Sequence, residues 1–291
     1  NKKYKNKIIK VNNKIKFLNE FAKQKRNITN SQIFAITGSA GKTSLKNLIK
    51  VLLQNFDETF CTPKSYNNHF GVPISLSQLN INHKYSVFEV GMSKPGEINK
   101  LSKLIKPHIA IITNIGEAHI ENFKNLKGIA DAKGEIMNGI KKNGKIILNR
   151  DDKFFYYLEK RAKSKGLKVV SFGRNKKSDI HLMSISNNKK NKKLKIKIKN
   201  QILNIEFKDL NIDNILSSLA LLNELNLNLE KIKNLFKIYS PSEGRGRMYK
   251  IKRYKKIFRL IDESYNSNPL SLKNAINNFN SIKKKNFKKY L

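Results

Sequence analysis

QIFAITGSAGKTSLKNLIKVLLQNF, residues 32–56, is the stretch from which the rest of the chain is read. An apolar run from Ile33 to Ile36 leads into a small glycine-containing turn and then into Gly41-Lys42-Thr43-Ser44. Beyond it Leu45, Leu48, Ile49 and Leu52 recur at helical spacing. Strand, tight loop and helix N-terminus in that order form the setting of a phosphate-binding loop. The first amides of a helix have no partner of their own and lie at the positive end of its dipole, so a phosphate is favoured there. Glycine lets the backbone come close, Lys42 can reach terminal phosphates, and the Thr43 hydroxyl can hold Mg²⁺. Gly38 and Gly41 are three apart where the common G-x-x-x-x-G-K-[ST] pattern sets them five apart, so the match is to a shortened loop. The alternative is a β–α turn that binds nothing.

Working outward, residues 1–13 are a basic lead, and Ile15, Leu18, Phe21 and Ala22 space a short amphipathic helix over 14–27. CTPKSYNNHFGVPISLSQL (61–79) reads as loop and then helix, with Pro73 near the helix start. YSVFEVGM (85–92) is a buried strand closed by Gly91, and Pro95-Gly96 open the helix EINKLSKLIK, which stops before Pro107. IAIITNIG (109–116) is a second apolar strand. A helix around 125–140, the strand KIILN (145–149), a helix over 153–164 and the strand KVVSF (168–172) follow. Strands alternating with helices and apolar on both faces predict an α/β fold with a mostly parallel, doubly wound sheet.

From Asp179 the pattern changes. LKIKIKNQILNIEF (194–207) alternates apolar and polar about a turn near Asn200-Gln201, which predicts an antiparallel hairpin with one wet face. Helical stretches over 212–226 and 229–238 lead to the linker SPSEGRGRM (240–248). FRLIDESYNSNP (258–269) then reads as a strand, a polar turn and the start of a helix, opening a second α/β unit.

At 291 residues the chain can bury a large core and hold one large or two ordinary domains. It has no apolar run long enough to insert in a membrane and no signal peptide with a small-residue cleavage site. The single Cys61 excludes an internal disulfide and fits a reducing, cytoplasmic setting. A net charge of +39 would ordinarily suggest nucleic acid. Here the lysines are spread over nearly every segment without interleaved aromatics, so they read as solvated side chains with no specific nucleic-acid partner. Weak binding to polyanions at low salt is still expected. A first residue Asn and a last stretch KKKNFKKYL without a helix stop suggest a fragment.

In doubly wound sheets ligands sit at the carboxyl ends of the strands. Glu89 interrupts an apolar strand just before Gly91 and could ligate Mg²⁺, or be satisfied by Lys42 or a backbone N–H. His119 follows the strand 109–116, a loop position that is more often structural than functional. Lys133 falls inside the apolar stripe of Ile129, Ile136, Met137 and Ile140. A buried amine tends to lose its proton and could then take up carbon dioxide as a carbamate. Spacing alone favours a lysine that snorkels to solvent.

Taken together, ITGSAGKTS, YNNHFGVP, FEVGMSKPGEI, TNIGEAHIENF, IADAKGEI, LNRDD, EGRGRM and IDESYNSNP resemble the Mur ligases, the ATP-dependent amide-forming enzymes of peptidoglycan synthesis. NIGEAH, AKGEI and ESYNSNP are most similar to the member that joins D-alanyl-D-alanine to UDP-N-acetylmuramoyl-tripeptide. The resemblance, over about residues 14–291, implies ATP and Mg²⁺ as cofactors and those two molecules as substrates. It implies that Gly38, Ser39, Ala40, Gly41, Lys42, Thr43 and Ser44 bind the ATP phosphates. It places Thr43, Glu89 and His119 with the magnesium ions and Lys133 at the family's carbamylated lysine. Asn211, Asn214, Arg247, Glu263, Tyr265, Asn266 and Asn268 fall at motif positions near the nucleotide, and Asn67 and Asn68 where the peptidyl substrate approaches. Two positions depart from the family: Glu263 stands where an Asp commonly meets the ribose, and a His-Asn pair reads Leu210-Asn211 here.

Of the family's three domains, the resemblance implies a remnant and linker helix in 1–30, a central ATP-binding domain in 31–240, and the truncated start of a Rossmann-like C-terminal domain in 241–291. Two other activities share the loop. A folylpolyglutamate synthetase-like ligase would lack YNNHFGVP and ESYNSNP. A phosphate-loop nucleic-acid ATPase would leave Glu89, His119 and Lys133 without roles.

Overall fold

A computed structural model describes residues 8–187, 192–208, 210–254, 256–265, 269–282 and 290. Helix α1 (Lys14–Ile28) leads to β1 (Gln32–Thr37), the strand that precedes the phosphate loop. Strand alternation divides β1 between two cores: Phe34 and Ile36 face one side, Ile33 and Ala35 the other. Helix α2 (Lys42–Leu53) covers the first face with Leu45, Leu48, Ile49 and Leu52. After it come β2 (Thr59–Cys61), α3 (Gly71–Ser77), β3 (Tyr85–Glu89), α4 (Glu97–Ile105) and β4 (Ile109–Ile112). Then follow α5 (Leu126–Gly134), β5 (Lys145–Asn149), α6 (Phe155–Lys163) and β6 (Lys168–Gly173). The second core joins residues of α3, α4, α5 and α6 to Ala110, Ile112, Ile146 and Leu148 of the strands.

Strands β7 (Ile180–Asn187), β8 (Lys192–Ile198) and β9 (Gln201–Phe207) extend the same sheet, and α7 (Ile212–Glu224) packs beside α2. The short α8 (Leu235–Ile238), the hairpin β10 (Arg247–Arg253)–β11 (Lys256–Asp262) and α9 (Pro269–Ser281) complete the described chain. The large sheet has nine strands in the order β2-β3-β1-β4-β5-β6-β7-β8-β9, parallel through β7 and antiparallel for β8 and β9. Strands β10 and β11 form a separate antiparallel pair. The strand order reverses at β1, so a crevice opens beyond the carboxyl ends of β3, β1 and β4. No helix among the described residues is long and apolar enough to cross a membrane.

Several elements differ from the sequence expectation. The predicted hairpin forms as β8 and β9, but β7 is unforeseen: it pairs parallel with β6 through Phe172 and Ile180 and joins the hairpin to the main sheet. Its alternation is broken by a register shift between Leu182 and Ser184, which hides the strand from a period-two reading. Strand β2, three residues long, is too short to show a period. Strand β10 occupies what reads as the end of a linker, because its side chains are half-buried or exposed. The apolar run 109–116 pairs only to Ile112. The helix expected over 125–140 ends at Gly134 and continues as a 3₁₀ turn, Glu135–Gly139. There the Glu135 carboxylate turns to α4 and accepts the amides of Gly96 at 2.7 Å and Asn99 at 3.0 Å. Helix α1 forms as expected but buries Ala22 and Arg26, while Ile15 and Phe21 stay exposed. Arg26 closes the other end of α4, donating Nε to the Ile105 carbonyl at 2.5 Å and Nη2 to that of Lys106 at 2.7 Å.

At the amino ends of the strands His108 ties β1 to β4, its Nδ1 accepting the Ile33 amide at 2.8 Å. Burial above all, then the charges of Lys141 and Arg26, pushes its pKa from 6.5 down to about 4. The unfolded chain takes up a proton below 6.5 that the folded chain refuses until about 4, so His108 contributes stability that is present above 6.5 and lost as pH falls toward 4. His108→Asn keeps an acceptor for the Ile33 amide and removes the titration. Urea unfolding at pH 7 and pH 5 should show a smaller loss of stability for the variant than for the wild type, and equal losses would refute the assignment.

Candidate nucleotide and metal site

The phosphate loop is held open by the chain that follows β4. Thr113 Oγ1 donates to the Ala40 carbonyl at 2.7 Å, and Asn114 Oδ1 accepts the Ala40 amide at 2.9 Å. The Ser39 amide donates to the Asn114 carbonyl at 3.0 Å, and Ser39 Oγ to that of Gly116 at 2.9 Å. Past Thr113, whose amide still donates to the Thr37 carbonyl at 2.9 Å, the segment leaves the sheet with its polar groups spent on the loop. Gly38 is crowded against the Thr113 side chain, where a Cβ would clash, and Gly41 has the left-handed φ of +82°. The amides of Lys42, Thr43 and Ser44 at the start of α2 make no hydrogen bond among the described residues. Lys42 curls back to donate to the Gly38 carbonyl at 2.8 Å. Burial lowers its pKa; Glu89 opposes that shift and Arg245 adds to it.

Glu89 ends β3 inside the protein, 1% exposed. Its Oε2 accepts the Thr43 hydroxyl at 2.8 Å and its Oε1 accepts Asn67 Nδ2 at 2.7 Å. The cation paired with it is Lys46, 3.7 Å from Oε2, and not Lys42. Lys46 is itself only 1% exposed and donates to the carbonyls of Thr62, at 2.8 Å, and Lys64. It thereby ties the loop that carries Asn67 and Asn68 to α2. Sequence reasoning passes over Lys46, although it is a charged residue next to Leu45 on the helix of the phosphate loop.

Two cavities flank the loop. The larger, about 850 Å³, is lined by Ser39, Ala40, Gly41, Lys42 and Thr43 with Asn67, Asn68, Glu89, His119, Lys133 and Tyr265. The smaller, about 180 Å³, lies beside Ser44 and takes in Asn211, Asn214 and Glu263. Several candidates have structural partners as well. Asn68 Oδ1 accepts the Gly71 amide at 2.9 Å, and Asn211 Oδ1 caps α7 by accepting the Asn214 amide at 3.1 Å. Asn214 packs against Gly41. His119, half exposed with a left-handed φ of +60°, lies 3.8 Å from Glu121. Tyr265 borders the larger cavity and not the smaller, its hydroxyl 2.9 Å from Ser65 Oγ. Arg247 lines neither cavity, its guanidinium being 3.6 Å from Glu243. Asn266 and Asn268 lie outside the described residues.

Lys133 does not snorkel. It is 3% exposed, and its amine makes no hydrogen bond or ion pair among the described residues. Burial first, then the charge of Lys42, lowers its pKa well below the ordinary lysine value. The apolar stripe that predicts its burial holds, and Lys133 borders the larger cavity.

The hydroxyl of Thr43 and the carboxylate of Glu89, in contact beside unpaired helix amides, are hard oxygen donors that fit Mg²⁺. Among the described residues there is no cluster of three or more His, Cys, Asp or Glu, so no side-chain cage surrounds them. Mg²⁺ ordinarily needs none, being held by one or two carboxylates together with substrate phosphates and water.

A family model described as Mur ligase middle domain matches residues 36–222. The UDP-N-acetylmuramoyl-tripeptide--D-alanyl-D-alanine ligase of Buchnera aphidicola subsp. Baizongia pistaciae is 35% identical over 262 residues, covering 89% of this chain and 56% of that protein. The ligase of the same name from Rickettsia prowazekii is 32% identical over 276 residues, covering 94% of this chain and 61% of that protein. The chain thus spans less than two thirds of the length of either relative. Among solved structures, MurF from Acinetobacter baumannii superposes with a TM-score of 0.85 at 28% identity, covering 94% of this chain and 59% of that one. MurF from Thermotoga maritima, solved in complex with ADP, shares the fold with a TM-score of 0.83 at 24% identity, covering 96% of this chain and 64% of that one. A phosphate loop braced by residues 113–116, a buried carboxylate on its threonine and a family match over most of the large sheet lead to one conclusion: the chain belongs to the Mur ligase family.

Proposed function

We propose that this chain provides the nucleotide and metal site of an ATP-dependent ligase of peptidoglycan precursor synthesis, joining D-alanyl-D-alanine to UDP-N-acetylmuramoyl-tripeptide. The observation that carries the reading is the contact of Thr43 with Glu89 beside the unpaired amides of α2, in a chain whose relatives bear that ligase's name. We assign residues 31–240 to the ATP-binding domain, 1–30 to a preceding linker helix, and 241–291 to the start of a following domain. That division is supported by the separate sheet of β10 and β11. The cytoplasm is its proposed place of action.

In this reaction the γ-phosphoryl group of ATP passes to an oxygen of the peptide's terminal carboxylate, and ADP leaves. The amine of D-alanyl-D-alanine then attacks the acyl carbon, forming the C–N bond, losing a proton and expelling inorganic phosphate. The helix amides are already oriented for the phosphates, and Lys42, released from the Gly38 carbonyl, would reach the charge that shifts during transfer. Thr43 and Glu89, with His119 of the same cavity, would hold Mg²⁺, which when bound neutralises phosphate charge. Asn67 and Asn68 border the cleft where the carboxylate would enter, and Asn211, Asn214 and Glu263 border the smaller cavity where the nucleoside would lie.

Lys133 supplies what this arrangement lacks. A neutral, buried amine adds carbon dioxide, forming an N–C bond and releasing one proton, and becomes an anionic oxygen ligand. That anion is stable in a buried place only beside a cation.

Lys42→Ala should weaken Mg-ATP binding by about 1.5–3 kcal/mol, the worth of one charge-assisted hydrogen bond, in calorimetry; equal affinities would count against the phosphate loop. In a form of the protein that extends through the following domain, ADP release with Mg-ATP and both substrates should depend on the peptide and the dipeptide together. Release stimulated by DNA or RNA instead would point to the nucleic-acid ATPase. With ¹³C-labelled bicarbonate, Mg²⁺ and nucleotide, NMR should show a carbamate resonance that Lys133→Ala abolishes. Its absence from the wild type would leave Lys133 a plain buried amine.

A further inference from the structure

The amino ends of the strands, away from the phosphate loop, hold a second group of cations that the proposed reaction does not use. A cavity of about 240 Å³ opens there, with His108, Lys141, Lys142, Lys145 and Glu224 on its wall. Glu224 is the one carboxylate of that wall, and it is already held by Lys145 at 2.8 Å and Lys168 at 3.6 Å. No carboxylate forms an ion pair with Lys141, Lys142 or Arg26 among the described residues. The charges of Arg26 and Lys106 both bear on Lys141 and oppose its protonation, as burial does.

The contact between His108 and Lys141 has the wrong chemistry to stand by itself. His108 Nδ1 accepts the Ile33 amide at 2.8 Å. Ile33 is fully buried, and this nitrogen is the acceptor that its amide needs, which fixes the way the ring faces. An imidazole that accepts at Nδ1 carries its proton at Nε2. Nε2 lies 3.1 Å from Lys141 Nζ, and an ammonium has three donors and no acceptor. Two donors therefore face each other at hydrogen-bond distance. The backbone keeps them there, with the Lys141 amide donating to the Pro107 carbonyl at 2.9 Å and the Lys145 amide to that of His108 at 3.1 Å. Such a pair is satisfied by an acceptor that both groups can reach, and the surrounding charge requires that acceptor to be an anion.

We propose that this cavity binds a phosphate group, free or as a monoester, which accepts hydrogen bonds from His108 Nε2–H and from the Lys141 ammonium. Lys142, on the same wall, adds a third cationic donor. A phosphate carries several acceptor oxygens and more than one negative charge near neutral pH, which suits donors drawn from three residues. The site is distinct from the nucleotide cleft. It lies where β1 and β4 begin, whereas the phosphate loop and its braces Thr113 and Asn114 follow the other ends of the same two strands. A phosphate bound there clamps the starts of the strands whose far ends shape the loop.

The test is a long-range ¹H–¹⁵N correlation spectrum of the ¹⁵N-labelled 291-residue chain, with the His108 ring signals assigned by their loss in His108→Asn. Mg-ADP is present throughout, and ionic strength is held constant with sodium chloride. The spectrum should show the proton of His108 on Nε2, and inorganic phosphate should shift that nitrogen saturably. Lys141→Ala should bind phosphate roughly tenfold or more weakly, and Lys141→Arg, which keeps a charged donor, should retain most of the affinity. Phenyl phosphate serves as the monoester: tighter binding than inorganic phosphate assigns the site to an ester, and equal or weaker binding assigns it to the free ion. The signal belongs to His108, at the other end of the strands from the phosphate loop, so the result stands whether or not the loop takes a nucleotide. A proton found on Nδ1, the absence of a saturable shift, equal binding of acetate, or equal affinities of the wild type and Lys141→Ala would each overturn the proposal.

Discussion

The hydrogen bond from Thr43 to Glu89 joins the first turn of α2 to the carboxyl end of β3, and the cleft depends on it. A carboxylate 1% exposed is costly unless its charge is met on all sides. Here Thr43, Asn67 and Lys46 meet it from the phosphate loop, the loop after β2 and the body of α2. Glu89 is the point at which three segments distant in sequence are brought to one place.

Lys46 and Lys133 are both buried lysines, and their surroundings divide their roles. Lys46 is ringed by oxygens of Thr62, Lys64 and Glu89, so its charge is compensated and its function is to hold parts together. Lys133 has no oxygen partner among the described residues and has the charge of Lys42 nearby, so its protonated form is disfavoured. A buried amine kept neutral is available for chemistry in a way that a paired ammonium is not. The phosphate loop shows the same economy: Thr113, Asn114 and Gly116 satisfy polar groups of Ser39 and Ala40, which leaves the next amides free for an anion.

Much of this was legible from residue pattern. The turn before Lys42, the alternation of apolar strands and amphipathic helices, and the interruption of an apolar strand by Glu89 are local signals, and each fell where the fold placed it. Less legible were β7, whose period is broken by a register shift, and the end of α5, where Glu135 is drawn away to cap α4. Lys46 was missed because one charge among helical leucines does not say whether it meets solvent or a carboxylate. In EGRGRM, motif likeness marks Arg247, while the orientation of the two arginines depends on how β10 begins.

The sequence by itself determined the class of sheet, the phosphate loop and the family, because strand and helix periods and a glycine-lysine-threonine turn are properties of neighbouring residues. Tertiary structure alone decided that Glu89 meets Lys46 instead of Lys42, that Lys133 is buried against the larger cavity, and that Arg245 borders both cavities. These are relations between segments far apart in the chain. They are set by which faces pack together and which charges are left to compensate one another, and no local pattern records them.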